Sequence, residues 1–404
     1  MESLLRKIFN QVEQHGTGCF TWDTKTRKLI LFDEVSSKNV NRTCDYLILG
    51  NVIILLQIFV GELSQTNGLS KGDSFNRLLT AYLIAALPIL CVQIQVCRNK
   101  AREIVLYING LLRLPIQNFW KDVCLIHRVN LAYAWVWYVT ISITPTVMVI
   151  GLHWKNPCRS TLLGGWLLPE CRTTQDDAIT KGIFHMVWRF LSKTVVLVIN
   201  HLLWSKSLSS GIVCMVVLQN LCMLLQLENL KRFSNTFSKS KVLKPGEILK
   251  FREIQMLALL NNVIIQNALL MFTFCMIILI SLAITVFVKL EWNTENIMAF
   301  TLFSCSGSNA TQFFLMCMGG GMIGIYSTSK ELFAMIKRKQ KYTTGKTFLT
   351  VRQHFGHKRL TRFCRSCTPI RIKLGESNFV EELTPLKCIS AAVELTVNVL
   401  LLCA

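Results

Sequence analysis

The stretch VIIQNALLMFTFCMIILISLAITVFV, residues 263–288, contains no charged side chain and is apolar on every side of a helix. About 20 apolar residues in helical conformation cross the ~30 Å hydrocarbon layer of a bilayer. A helix on the surface of a soluble protein would show only one apolar stripe. The stretch therefore predicts a membrane-spanning helix.

Six further apolar blocks have the length of a membrane-spanning helix. They cover about 46–63, 78–96, 131–152, 194–227, 297–326 and 385–404. The fourth block consists of two runs joined by residues 205–210, and its first run, 194–204, is too short to cross a bilayer alone. We interpret it as one long helix, whereas two separate spans would give eight helices. The sequence thus predicts an all-α, polytopic membrane protein with seven transmembrane helices.

The composition of the whole chain supports this class. Hydrophobic residues make up 51% of the 404 residues and charged residues only 17%, with a mean hydropathy of +0.41. A soluble chain usually carries about 25% charged residues. The net charge of +21 would suggest a nucleic-acid partner in a soluble protein, but most Lys and Arg residues lie between the apolar blocks. We therefore expect no nucleic-acid partner.

The positions of these basic residues predict the orientation in the membrane. Segments 1–45, 97–128, 229–252 and 329–384 carry 33 Lys and Arg residues, and the segments on the opposite side of the membrane carry 7. Cytosolic loops are enriched in Lys and Arg, so we expect the N-terminus in the cytosol and the C-terminus outside. The chain then divides into a cytosolic segment (1–45), helices one to six with cytosolic helical extensions (46–328), a basic cytosolic anchor segment (329–384) and helix seven (385–404).

The N-terminal residues have an amphipathic pattern. Residues 2–12 place their apolar side chains on one helical face, with Arg6 and Lys7 off that face. This pattern is typical of a short helix that lies in the membrane interface.

Motifs for catalysis or cofactor binding are absent from the sequence: there is no GxSxG, no Walker loop and no HExxH. We expect neither an enzyme nor a cofactor. His354, His357, Cys364 and Cys367 are ligand types that zinc accepts, but structural zinc sites usually separate the two pairs by a dozen or more residues. Only six residues separate the pairs in this chain, so we expect no metal site.

Cys158 and Cys171 flank the predicted outer connection between helices three and four. That compartment is oxidising, and a disulfide that closes a loop of this size gains about 3 kcal/mol. We favour a disulfide; the alternative is two free thiols.

Polar side chains inside the predicted spans are functional candidates, because they are costly in a bilayer. Glu394 and Asn398 lie one turn apart in helix seven. Either they line a water-filled path, where Glu394 would attract cations, or Glu394 is protonated and bonded within the bundle. Asn200 and His201 pose the same choice in block four. With Trp204 they would form part of an external pocket, or else they are satisfied core residues.

Aromatic and glycine residues offer further candidates. Most aromatic residues in the spans serve packing and interfacial anchoring, but a few that face an outer cavity would suit an apolar or amphipathic ligand. The candidates for such a pocket are Tyr138, Phe300 and Phe303. The run Gly319–Gly321 in helix six lets a neighbouring helix approach closely, or it makes a flexible kink.

A G-protein-coupled receptor does not fit, because that family has its N-terminus outside. The predicted topology, the long basic segment before helix seven and the final residues instead resemble the arthropod gustatory and odorant receptor superfamily. Its C-terminal pattern is a Thr-Tyr pair, an apolar run and then Gln. The corresponding residues of this chain read TVNVLLLCA, residues 396–404. Thr396 and the apolar run match, whereas Val397 replaces Tyr and Cys403 replaces Gln, so a divergent gustatory-type member fits best.

The resemblance implies a plasma-membrane, ligand-gated, non-selective cation channel. It implies a homo- or hetero-tetramer with related receptor subunits, embedded in membrane lipid and opened by a small-molecule tastant or odorant. Helix seven of each subunit would line one central pore, with Leu400 in an apolar gate and Cys403 just outside it. Thr396 and Val397 are further candidates for the pore lining, beside Glu394 and Asn398. Helices two to six would form the ligand pocket, and the cytosolic segments would hold the tetramer together.

The resemblance leaves one conflict and two rival functions. Leu400 and Cys403 share a helix face with Val393 and Val397, whereas Glu394 and Asn398 lie on another. The family register favours the first face for the pore. The rival functions are a transporter or other non-channel membrane protein, and a receptor-like subunit that assembles but no longer responds to ligand.

Overall fold

The computed structural model describes residues 2–14, 19–31, 34–64, 74–114, 190–195, 197–199, 202, 207, 211–239, 245–289, 297–346, 362 and 368–402. These residues are helical except for short connections and two small β-hairpins. The predicted all-α class is therefore confirmed. The third apolar block lies outside the described residues.

Long helices make up most of the described chain. The helices are α1 (Glu2–Gln14), α2 (Glu34–Ser64), α3 (Ser74–Asn99), α4 (Ala101–Arg113), α5 (Met223–Lys239), α6 (Pro245–Lys289), α7 (Ile297–Gln312), α8 (Ile323–Lys346) and α9 (Thr384–Leu402). Two π-helical stretches, π1 (Ile212–Cys222) and π2 (Phe313–Met322), lead directly into α5 and α8. The hairpins pair β1 (Phe20–Asp23) with β2 (Lys28–Leu31) and β3 (Lys373–Leu374) with β4 (Asn378–Phe379).

Helix α6 lies at the centre of the described structure. It is 45 residues long and contacts α3, α4, α7, α9 and β3. Because it is apolar on all sides, it is stable only where other elements or lipid surround it. In its most apolar window, 67% of the residues are buried inside the chain.

Three described helices are long and apolar enough to cross a membrane, and the chain is a membrane protein. These spans are Ala81–Asn99, Leu249–Lys289 and Thr384–Leu401. They lie in α3, α6 and α9 and correspond to the second, fifth and seventh apolar blocks. The first block lies in α2, and the sixth runs through α7, π2 and the start of α8.

Several helices continue well past the apolar blocks. Helix α6 begins at Pro245, before the apolar block that starts at Val263, and α8 ends at Lys346. In this region the rings of Phe233, Phe237 and Phe251 stack, with centroids 5.8 and 6.4 Å from that of Phe233. The Lys339 amine lies 4.0 Å from the centroid of Phe237 and donates to the Phe237 carbonyl. These contacts join α5, α6 and α8 into one extension of the bundle.

The N-terminal segment packs on the protein, so the prediction of a helix in the membrane interface is wrong. Leu5, Ile8 and Phe9 are buried, and the Phe9 ring meets Phe20 of β1 edge to face at 6.0 Å. The physical reason is that the β1–β2 hairpin and π1 offer α1 an apolar protein surface. A pattern of apolar positions predicts the buried face of a helix but not its partner.

The β1–β2 hairpin was not predicted from the sequence, and a side chain holds it in place. Asn109 of α4 accepts from the Leu29 amide (2.9 Å) and donates to the Leu29 carbonyl (2.7 Å), as a neighbouring strand would. Cys19 lies just before this hairpin, where burial, and secondarily the nearby Cys97, raise the pKa of its thiol to about 11. The thiol therefore stays protonated at neutral pH.

The close helix approach expected at the glycine run occurs elsewhere. The run Gly319–Gly321 lies in π2, where a Cβ atom on Gly320 would meet nothing within 4 Å and one on Gly321 would meet only Met223 of a neighbouring helix, at 4.0 Å. A Cβ on Gly307 of α7 would instead lie 2.5 Å from the Cβ of Ala283 in α6. Gly307 is thus the residue that lets α6 and α7 pack closely.

We expect Gly307→Ala to lower the free energy of unfolding by about 1–3 kcal/mol, because the Ala283 methyl group cannot move without its backbone. Thermal unfolding of the purified protein in detergent measures this. Gly320→Ala is the matched control and should leave stability unchanged or raise it by about 1 kcal/mol through better helix propensity. Equal midpoints for Gly307→Ala and the wild type would contradict the close α6–α7 contact.

Candidate functional site

Helix α9, the seventh apolar block, is the least covered of the three candidate spans. Only 22% of its window is buried inside the chain. Small or medium side chains face α6 and π2: Cys388, Ala392 and Thr396 are buried. The Thr396 hydroxyl donates to the Ala392 carbonyl at 2.7 Å, so it is satisfied within its own helix. Thr396 thus belongs to the side of α9 that faces its own bundle.

The other predicted pore residues lie mostly on the uncovered side of α9. Val393, Val397, Glu394 and Asn398 are exposed, and Leu400 is half-buried. Glu394 is about 200° around the helix from Thr396, since successive residues are 100° apart. Its carboxylate accepts from the Ser390 hydroxyl at 3.4 Å. The sequence left two faces of α9 as candidates for the pore lining, one with Val393 and Val397 and one with Glu394 and Asn398. Within one subunit, neither face is covered by other parts of the chain. Cys403 lies outside the described residues.

The segment that leads into α9 is held by polar groups along one face of α6. The Gln255 side chain donates to the Thr368 carbonyl, and the Gly375 amide donates to the main-chain carbonyl of Gln266 at 2.9 Å. Between them, the Asn262 side chain donates to the Arg371 carbonyl (2.8 Å) and accepts from the Lys373 amide (2.9 Å). Spacings of seven and four residues place positions 255, 262 and 266 on one face of a helix.

Helix α8 and one glycine complete this attachment. The Ser329 hydroxyl, fully buried, accepts from the Ile370 amide at 2.9 Å. Gly375 has φ +74°, a backbone conformation that favours glycine, and a Cβ there would lie 3.1 Å from Leu270. Residues 368–375 are therefore fixed to α6 and α8, and the start of α9 is fixed with them. Sequence analysis missed these contacts, although Gln255 and Asn262, two polar side chains seven residues apart beside an apolar block, are a readable signal.

A second candidate site is a buried aromatic cluster between α2, α3, α6 and α7. Phe300 and Phe303 are buried there among apolar side chains of the other helices, and their role in a ligand pocket stays a prediction. The ring of Tyr82 meets Phe303 edge to face at 5.5 Å, and the Ser306 hydroxyl donates to the Tyr82 oxygen at 3.3 Å. Tyr82 and Ser306 were not predicted. Each carries a polar group within an apolar helix, and such groups in the sequence are a signal for a functional site.

The other predicted site residues cannot be placed. Tyr138, Asn200, His201 and Trp204, the cysteine pair Cys158–Cys171, and the His354–Cys367 group all lie outside the described residues. Their roles stay predictions. Within the described ranges, no group of three or more His, Cys, Asp or Glu side chains could hold a metal ion.

Asn262→Ala should lower the free energy of unfolding by about 2–3 kcal/mol, because it removes two hydrogen bonds and leaves two backbone groups unpaired. Thermal unfolding in detergent measures the change, and limited proteolysis near residues 368–383 should become faster. The control is Asn267→Ala, an exposed amide on the same helix, which should leave both readouts unchanged. Identical behaviour of the two variants would show that the attachment contributes nothing.

No protein-family model and no curated protein matches this chain. Among solved structures, it is similar to the insect olfactory receptor OR5 from Machilis hrabei, with a TM-score of 0.57 and 10% identity over 98% of this chain and 97% of the receptor. It is equally similar to the same receptor in complex with eugenol, over 99% and 98% of the two chains. The similarity covers nearly the whole of both chains, so the resemblance noted in the sequence is confirmed for the fold. The chain has the fold of this insect olfactory receptor.

Proposed function

We propose that the chain is a chemosensory receptor of the plasma membrane that acts as a ligand-gated, non-selective cation channel. Four subunits surround one pore that α9 lines. The N-terminus is cytosolic and the C-terminus is outside, which the distribution of Lys and Arg supports. The fold shared with an insect olfactory receptor supports the receptor class.

The observation that carries the channel proposal is the position of Glu394. It lies near the middle of α9 and is exposed on a single subunit. A carboxylate that faces lipid at this depth costs about 2.5–3.5 kcal/mol or more. Neighbouring subunits or an aqueous pore remove that cost. A ring of subunits around water provides both, and a contact whose rotation closes produces such a ring.

The ligand we propose is a small, mostly apolar organic molecule, a tastant or an odorant. It would bind in the outer half of the helices, beside Phe300 and Phe303. Apolar rings bury such a ligand, and a few polar groups orient it. Tyr82 and Ser306 are the polar groups of this cluster. The structural neighbour in complex with eugenol supports a ligand of this kind.

The proposal is tested by currents in cells that express the chain, alone or with a related receptor subunit. A panel of tastants and odorants, eugenol among them, should contain compounds that evoke a cation current. Silence across the panel, with the protein verified at the cell surface, would favour a transporter or a non-responsive subunit.

Tyr82→Phe should raise the half-maximal ligand concentration about tenfold, because one hydrogen bond contributes about 1–1.5 kcal/mol. The ring contact with Phe303 is retained in this variant, so packing is preserved. Concentration–response curves measure the effect. Ser308→Ala, on an exposed position of the same helix as Ser306, is the control and should match the wild type. An unchanged curve for Tyr82→Phe would place the ligand elsewhere.

Leu400→Ala should raise the current without ligand several-fold, since an apolar constriction closes a pore by excluding water. Basal current per surface-expressed protein measures this, with Leu386→Ala at the other end of α9 as the control. If basal current stays at the wild-type level while Glu394→Ala abolishes permeation, the polar face of α9 lines the pore instead.

A further inference from the structure

A cavity of about 320 Å³ lies where α8 passes the start of α9. The β3–β4 hairpin forms one wall. Its charged and aromatic lining consists of Tyr326, Lys330, Arg371, Phe379, Glu381 and Glu382. The volume is at the lower end of the ~300–1,000 Å³ typical of small-ligand sites. Neither the gate nor the ligand cluster uses these residues.

Arg371 is held in an orientation that suits a phosphate group. The centre of its guanidinium group lies 5.3 Å from the ring centroid of Tyr326 and 5.4 Å from that of Phe379. Stacking uses the faces of the guanidinium and leaves its N–H groups, which lie in the plane, for hydrogen bonds. The hydrogen bond from the Asn262 side chain to the Arg371 carbonyl fixes the backbone of Arg371.

Lys330 supplies a second cation to the cavity, with its amine 6.0 Å from the centroid of Tyr326. Within the described part of the chain, neither Lys330 nor Arg371 lies within 4.0 Å of a carboxylate oxygen. Two cations that share a cavity can bind one phosphate group together, because hydrogen bonds from charged donors to phosphate oxygens are strong.

Two carboxylates also line the cavity. Glu381 and Glu382 are exposed, in the turn just before α9. This turn is ordered by two hydrogen bonds: the Glu381 amide donates to the Thr384 hydroxyl (2.8 Å), and the Thr384 amide donates to the Glu381 carbonyl (3.0 Å). The cavity thus carries two positive and two negative groups, and it suits a ligand that carries both charges.

The cavity lies at the end of a membrane-spanning helix. The apolar span of α9 begins at Thr384, and Leu383 and Leu386 beside it are 59% and 60% exposed. A molecule bound at Arg371 would have its charged part at headgroup depth and an apolar surface next to it. The proposed orientation places this end of α9 in the cytosolic leaflet.

We infer that this cavity binds the headgroup of phosphatidylethanolamine. Arg371 and Lys330 bind the phosphate, Glu381 and Glu382 accept from the primary ammonium, and the acyl chains run along Leu383 and Leu386. Phosphatidylcholine fits less well because its trimethylammonium group has no N–H to donate. Phosphatidylglycerol fits less well because the two carboxylates have no cation to bind. The inference rests on the proposed membrane orientation of α9 but not on channel activity.

The test reconstitutes the full-length protein into bilayer nanodiscs that contain equal amounts of phosphatidylethanolamine, phosphatidylcholine and phosphatidylglycerol with identical acyl chains. Native mass spectrometry then counts the lipids retained by the protein. We expect phosphatidylethanolamine to be enriched about fivefold over each of the others, and Arg371→Gln to remove the enrichment, as the loss of a bidentate phosphate contact should. Lys337→Gln, a cation on α8 stacked on Phe333 at 4.5 Å, is the control and should retain it.

Further variants and a soluble competitor test which headgroup is bound and whether it comes from a membrane lipid. The double variant Glu381→Gln, Glu382→Gln should shift retention from phosphatidylethanolamine to phosphatidylglycerol. Lys330→Gln is the second phosphate-side variant and replaces Arg371→Gln if that protein does not elute as a monodisperse peak. If the wild type retains the three lipids in the same proportions as the nanodisc contains them, the proposed site is wrong. Displacement of the lipid by an equal concentration of soluble glycerophosphoethanolamine would overturn the membrane source. Retained lipid is counted whether or not the protein conducts, so a silent channel does not affect this result.

Discussion

In the hydrocarbon layer of a bilayer, a polar side chain can be satisfied only by protein or by enclosed water. This constraint explains most polar contacts of the apolar helices. Thr273, Thr285 and Thr396 each donate to the carbonyl four residues earlier in their own helix. Asn262 binds the segment before α9, and Ser306 binds Tyr82. Glu394 differs, because the contact within its own subunit is with an exposed Ser390 hydroxyl. Its environment must come from outside the single subunit.

The same constraint links the two candidate sites through α6. Its C-terminal part packs against Phe300 and Phe303, with Val286 and Ala283 in the same buried cluster. Its N-terminal half carries the amides that hold the segment leading to α9. Hydrogen bonds to buried amides are expensive to leave unmade, so a movement of α6 must take that segment with it or break the contacts. If the proposed ligand displaces α6, these hydrogen bonds would transmit the movement to the start of α9.

Much of this fold could be predicted from the sequence because the hydrocarbon layer imposes a simple length rule. The spans found in α3, α6 and α9 match three of the predicted apolar blocks. The contacts that position the site were not predicted, since they join residues far apart in the chain. Ser306 meets Tyr82 across 224 residues, and Asn262 meets Arg371 across 109. Local periodicity reports which face of a helix is buried; it does not report the partner. The same limit explains why the sequence predicted that α1 lies in the membrane interface, whereas in the structure it packs on π1 and β1.

In the proposed ring of four subunits, the two faces of α9 need not compete for the pore. From Val393 to Asn398 the exposed side chains span about 140° of the helix, and all of them lie outside the subunit's own bundle. In a ring of four helices, each helix turns one side to the axis and its flanks to its two neighbours. The 140° arc of exposed side chains is wide enough to include both the side that faces the axis of the ring and one side that faces a neighbouring helix. The Val393 and Val397 side can then reach the pore while Glu394 and Asn398 meet the adjacent subunit, or the reverse. In the proposed tetramer Glu394 is removed from lipid in both arrangements, so that assembly would satisfy the constraint that a single subunit leaves open, whichever face lines the pore.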